Sequence, residues 1–174
     1  MKKLALFAVV VLFAGSTFAQ MLAAGTSELK VSGVLDFETA DDTLLALDVF
    51  YGLFFADYTE YGVNLMVEES DHVSIWALGV EGEYNYDLGT ELVPFVGAGI
   101  GYARYDVEYG GDEGNDEDNA IIVKGSAGAK YFITENVALS GSFVLRWASE
   151  DIFATQDDFE DTDAYLQLGM RFFF

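Results

Sequence analysis

The chain has 174 residues, a formal charge of −22 at pH 7, one His, one Pro and no Cys. That length suits one domain, and a chain without cysteine has no disulfide framework, thiolate metal site, cysteine nucleophile or lipid anchor on an amino-terminal Cys. So acidic a chain is excluded from gripping nucleic-acid phosphates, whereas 52% hydrophobic residues is far from the composition of a disordered segment.

At the amino end, Lys2 and Lys3 precede an apolar run from Leu4 to Ala14, followed by Gly15-Ser16-Thr17-Phe18-Ala19. A positive start, a short apolar stretch and small residues before a cut predict a secretory signal peptide over residues 1–19, cleaved after Ala19. The run is too short to cross a bilayer as a helix, which takes about 20 residues. Residues 20–27 read as a short lead-in.

From Glu28 the chain falls into strand-length segments parted by polar or glycine-rich breaks, at 28–38, 44–54, 60–68, 73–86, 92–108, 120–132, 137–148 and 163–174. In the first, Leu29, Val31, Leu35 and Phe37 oppose Lys30, Ser32 and Asp36. The second alternates poorly, with Leu44 and Phe50 beside Asp48. The fourth sets Trp76, Leu78, Val80 and Tyr84 against Glu81 and Glu83. The fifth starts near Pro94 and carries Gly97, Gly99 and Gly101 on one face. The sixth opposes Val123, Ala127, Ala129 and Tyr131 to Lys124, Ser126 and Lys130. The seventh opposes Val137, Leu139, Phe143, Leu145 and Trp147 to Ser140, Ser142 and Arg146. The last opposes Leu166, Leu168, Met170, Phe172 and Phe174 to Tyr165, Gln167, Gly169, Arg171 and Phe173. Strand side chains alternate with period two, so each segment has one greasy face and one polar face.

A water-soluble barrel would also alternate, with its apolar face inside. Three features favour the inverted arrangement. The polar faces are rich in small residues such as Ser126, Gly128, Ser142 and Gly169, which leave room for long charged neighbours in a confined interior. Aromatics including Trp76, Tyr84, Tyr102, Tyr131 and Trp147 fall near the ends of the apolar rows, as in the girdles at a membrane interface. The last residue, Phe174, completes an apolar row. The breaks after odd-numbered segments, with adjoining strand ends that include Glu68, Asp106 and Asp163, hold 20 of the 30 acids at one rim, the two richest acidic runs lying over 106–118 and 150–163, while breaks such as Thr134-Glu135-Asn136 are brief. Charge then sits in water and the wall in lipid. The expected fold is all-β: an eight-stranded antiparallel up-and-down transmembrane barrel over residues 28–174, preceded by a cleavable signal peptide.

The stretch Leu92-Val93-Pro94-Phe95-Val96-Gly97-Ala98-Gly99-Ile100-Gly101-Tyr102-Ala103-Arg104-Tyr105 resembles a recurrent strand of small outer-membrane barrels of the opacity-protein, OmpA-type and OmpW-type "porin family". Leu166-Gln167-Leu168-Gly169-Met170-Arg171-Phe172-Phe173-Phe174 resembles the signal read by their assembly machinery, with a terminal aromatic after apolar residues at every second position. The resemblance implies location in the outer membrane of a Gram-negative envelope, contact with lipid and lipopolysaccharide, and a structural or surface-interaction role. The alternative within the resemblance is a narrow OmpW-like conduit for small or apolar solutes.

Eight strands enclose an interior that side chains can fill. Lys30, Asp48, Glu81, Glu83, Lys124, Lys130, Arg146 and Arg171 are the candidates for a lumenal charge network, since an unpaired charge in such a space is costly. Leu166, Leu168, Met170, Phe172 and Phe174 are the lipid-facing assembly row. Arg104, outward near the loop rim, is a candidate contact for a lipid phosphate. Asp112, Glu113, Asp116 and Asp118 are weak Ca²⁺ or Mg²⁺ candidates, hard ions that prefer carboxylates, although their spacing departs from the EF-hand loop. His72-Val73-Ser74 resembles the His-x-Ser pair of a barrel lipid A deacylase, but Ile75 and Tyr86 stand where that family has an Asn and an acid. The expectation is therefore a non-enzymatic monomer without a cofactor or a nucleic-acid partner.

Overall fold

The computed structural model describes residues 22–35, 45–69, 73–107, 116–154 and 159–174. The strands are β1 (Ser27–Leu35), β2 (Leu45–Ala56), β3 (Thr59–Glu69), β4 (Val73–Asn85), β5 (Leu92–Val107), β6 (Asp116–Thr134), β7 (Val137–Ala148), β8 (Phe153–Ala154), β9 (Phe159–Glu160) and β10 (Thr162–Phe173). Eight of them close into an antiparallel barrel in the order β1-β10-β7-β6-β5-β4-β3-β2, and β8 and β9 form a separate two-residue pair. Closure runs from Glu28 opposite Phe173 to Leu35 opposite Leu166. No helix among the described residues is long and apolar enough to cross a membrane.

Strand parity decides which way each residue looks. Leu78 is 58% exposed and Leu168 is 52% exposed, whereas Lys130 and Arg171 are 0% and 1% exposed. Apolar side chains thus cover the outside and charged ones fill the middle, the reverse of a soluble barrel. Trp76, Tyr84, Tyr102, Tyr131 and Trp147 all face outward.

The second segment, which alternates poorly on paper, alternates cleanly in the wall. Asp48, Phe50 and Phe54 all point inward, while Leu47, Tyr51, Leu53 and Phe55 point out. The lumen is therefore not polar throughout. At the end with short turns, Leu22 is buried with Phe54, Val93, Phe132, Ala138 and Phe173. The chain before β1 folds across this mouth, held where Tyr58 N–H donates to the Leu22 carbonyl at 2.7 Å and Gly25 N–H to that of Phe54 at 2.8 Å. The expected lead-in is in this stretch a stopper; the expected signal peptide lies outside the described residues. At the opposite mouth, Ile152 and Phe153 fold inward after β7 and pack on Met66, Ile75, Ala77, Ala103, Ala120, Ile122 and Ala148.

The two-residue turn joining β2 to β3 places Tyr58 at φ 64°. That left-handed conformation is uncommon for a residue with a side chain. Tyr58 is anchored there by its hydrogen bond to Asp87 at 2.9 Å and by packing on the stopper cluster.

Candidate functional site

The lumenal charges form three tiers between the two apolar stoppers. Nearest the short turns, Lys130 Nζ lies 2.8 Å from Glu28, 2.9 Å from Glu60 and 2.6 Å from Glu83. Arg171 Nη1 bridges Glu28 at 2.7 Å and Glu83 at 3.0 Å. The rings of Phe54, Phe95 and Phe173 each stand 5.6 Å from the Lys130 ammonium, and Phe95 stacks 4.4 Å from the Arg171 guanidinium. The ring faces add cation–π attraction in a dry setting. Carboxylate oxygens of Glu28, Glu60 and Glu83 lie within 4.8 Å of one another, close enough to share a metal ion. The Lys130 ammonium sits against all three and takes that role.

In the middle tier Lys30 meets Asp48 at 3.4 Å and Glu81 at 3.5 Å, while Lys124 meets Asp48 at 3.3 Å and Glu81 at 2.7 Å. Asn64 Nδ2 donates to Asp48 at 3.3 Å. Two cations face two carboxylates, so this tier is neutral. Its geometry follows from register. Glu81, Gly99 and Lys124 lie side by side on β4, β5 and β6. A Cβ on Gly99 would meet Lys124 Cε at 3.3 Å and the Val80 carbonyl oxygen at 2.9 Å. Glycine between them lets the lysine reach across one whole strand to its acid.

In the third tier Arg146 pairs with Glu68 at 2.8 Å and Asp163 at 2.7 Å, and its Nη1 donates to Met66 Sδ at 3.2 Å. Its guanidinium lies over the Phe153 ring at 4.2 Å and over the Tyr165 ring at 4.9 Å. Asp163 reaches it as the directly opposed residue on β10.

All eight network residues read from the sequence thus point into the lumen and make ion pairs there. Parity within each strand places them. Glu28 and Glu60 escape the sequence reading because each is the first residue of its segment, where an acid looks like a rim charge; the period-two rule, extended one step, puts both on the inward face. Glu68 and Asp163, read as rim acids, are strand residues that close on Arg146. Asp116 and Asp118, read as loop residues, stand on the β6 backbone opposite Val107 and Tyr105, because the ladder of β5 and β6 continues beyond the expected loop boundary. Asp112, Glu113 and His72 lie outside the described residues.

On the exterior, Leu166, Leu168, Met170 and Phe174 face outward in one row with Phe172. The last residue is tied to the barrel seam, with Phe174 N–H donating to the Ser27 carbonyl at 3.0 Å. Arg104 is exposed, opposite Trp76 on β4 and Asn119 on β6. Ser74 is exposed on the outward face of β4, in the row of Trp76 and Leu78.

A family model described as "Outer membrane protein beta-barrel domain" matches residues 5–172. The chain belongs to this outer-membrane β-barrel family. Structural likeness agrees. The amino-terminal barrel domain of Pseudomonas aeruginosa OprF is 20% identical with a TM-score of 0.63, over 87% of this chain and 98% of that one. Neisserial surface protein A is 15% identical with a TM-score of 0.59, over 84% and 94%. The outer membrane protein OprG of P. aeruginosa is 11% identical with a TM-score of 0.54, over 87% and 97%. No curated protein matches significantly in sequence. As an outer-membrane barrel, the protein sits in that membrane, and the family's usual polarity puts short turns in the periplasm and longer loops outside.

Proposed function

We propose that this outer-membrane barrel is a closed wall element with a structural and surface-interaction role, rather than a diffusion pore. One observation carries the reading: three tiers of ion pairs fill the lumen, with apolar stoppers at Leu22 below and at Ile152 and Phe153 above. An ion crossing it must separate buried charge pairs, each step leaving a charge uncompensated at a cost of several kcal/mol. The test is conductance of the purified protein in a planar bilayer. A silent bilayer is expected; discrete, salt-dependent openings overturn the reading in favour of the narrow conduit.

In this proposal residues 1–19 direct export and are removed after Ala19. The row ending at Phe174 is read by the barrel-assembly machinery, and the finished barrel is a monomer. Arg104, exposed beside Trp76 and Tyr102, contacts a lipid phosphate at the outer rim. The acids Asp112 and Glu113, with Asp116 and Asp118 at the start of β6, recruit divalent cations weakly and bridge to lipopolysaccharide. His72 and Ser74 receive no catalytic role: Ser74 shares the lipid-facing row of β4 with Trp76, away from any charged side chain of the lumen. Lipid A mass spectra that are identical for wild type and His72→Ala are the expected result.

A further inference from the structure

The upper stopper differs in kind from the lower one. Its wall is a cup of small residues, Ala77, Ala103, Ala120 and Ala148, with Met66 and Ile75, contributed by five strands. Nothing in a rigid wall requires four inward alanines at one level, since larger apolar side chains would fill the mouth unaided. Instead the space is filled by Ile152 and Phe153, the latter 3% exposed, from a connection whose described residues pair in the two-residue β8–β9 ladder. The flanking Glu150 and Asp151 are exposed. Phe153 is thus a ring laid into an apolar hollow of small side chains, its π-face against the Arg146 guanidinium at 4.2 Å. A cavity of about 20 Å³, lined in part by Met66, Ala77, Lys124, Arg146 and Tyr165, adjoins the cup at the Lys124 tier, so the hollow is not filled completely.

We infer that this cup is a blind binding site for a small neutral aromatic molecule, which takes the place of the Phe153 ring over Arg146. The chemistry selects the ligand class. A concave, mostly apolar hollow with one oriented polar group has the make-up of a small-molecule site. The guanidinium face favours a planar π-system over an acyl chain. Glu68 and Asp163 already neutralise Arg146 at 2.8 and 2.7 Å, so an anionic ligand meets two carboxylates and gains no free cation. The neutral Lys30–Asp48–Glu81–Lys124 tier floors the site, so a bound molecule stays at the mouth instead of passing through. Phe153 competes with the ligand, and the apparent affinity is reduced by the fraction of time the cup is vacant.

The test uses the full chain refolded in detergent micelles, with fluorine NMR of 5-fluoroindole and, as the anionic comparison, 4-fluorobenzoate; micelles alone set the baseline. Heat-modifiable gel migration confirms that each variant is folded. Wild type should bind 5-fluoroindole weakly but saturably, and Phe153→Ala should bind it at least tenfold tighter. Adding Ala120→Leu to Phe153→Ala should remove that gain by filling the cup from its wall. Fluorobenzoate should bind at least tenfold more weakly than fluoroindole in both wild type and Phe153→Ala. No saturable binding to wild type, equal binding by wild type and Phe153→Ala, or equal binding of the two probes each overturns the inference. Should the double variant fail to fold, the other two comparisons still decide it.

Discussion

The Lys130 ammonium lies 2.6 Å from a carboxylate oxygen of Glu83, both side chains sealed from solvent at the base of the barrel. The same ammonium also pairs with Glu28 and Glu60, so it touches every acid of a tier in which three carboxyl groups face two cations. Replacing Lys130 by Met should therefore cost far more than the loss of one contact. Breaking such a pair by removing one partner typically costs about 3–5 kcal/mol, and here three carboxylates lose that partner. Glu60→Gln should be much milder, because Glu60 contacts only Lys130 in this tier and its Oε2 has no hydrogen-bond partner. Urea unfolding in lipid vesicles, followed by the loss of the heat-modifiable band, should rank Lys130→Met well below Glu60→Gln.

Two glycines on β6 make a matched pair. A Cβ at Gly128 would press on the Gly141 carbonyl oxygen and lie 2.7 Å from Ser142 Cα, both on the neighbouring strand. A Cβ at Gly125 would meet nothing within 4 Å. Gly128→Ala should destabilise by about 1–3 kcal/mol, the range for forcing atoms into filled space. Gly125→Ala should stay within about 0.5 kcal/mol. Equal effects in the same unfolding assay would refute the close approach of β6 and β7 at Gly128.

The outward row of β10 invites a charge test. Leu168 sits near the middle of that strand, facing lipid. Leu168→Arg should destabilise by about 2–4 kcal/mol in bilayers, the range for Arg at the midplane of a barrel wall. An unchanged unfolding midpoint would mean that this face is wet.

Tyr58, in the short turn between β2 and β3, donates to Asp87 at 2.9 Å, and this bond is the main reason its phenol holds its proton above the ordinary value of 10.0. Partial burial and the negative charges of Asp87 and Asp57 act in the same direction. The folded value is higher than the unfolded one, so the bond's contribution is complete below about pH 10 and is lost as pH climbs through the raised value. Absorbance titration near 295 nm, taken as the difference from Tyr58→Phe, should show this phenol ionising late. Asp87→Asn should move it back towards 10.

The strand count, the inward charges and the outward greasy rows were legible because a wall one residue thick turns period-two alternation into inside and outside. Features that break the alternation, or depend on distant contacts, were not. Phe50 and Phe54 face inward beside Asp48, since a ring can serve a lumen as a cation–π face as readily as it serves lipid. The extra length at the start of β6 carries acids, which by composition read as loop, yet its ladder with β5 continues to Val107 and Asp116. Ile152 and Phe153 are two apolar residues in an acidic run, with no periodicity to announce that they fold back into the mouth. Leu22 precedes the first strand and becomes legible only once the barrel exists to receive it.

Apart from Lys2 and Lys3, every lysine and arginine except Arg104 is shut inside the wall. Neighbouring copies therefore meet as bodies of the same sign, acid against acid, with almost nothing on either to attract the other. Salt dampens such repulsion beyond about 8 Å at physiological strength. Below that separation, crowding of these barrels in one membrane requires a layer of counter-ions between them, and stripping multivalent ions from the surroundings should drive the copies apart.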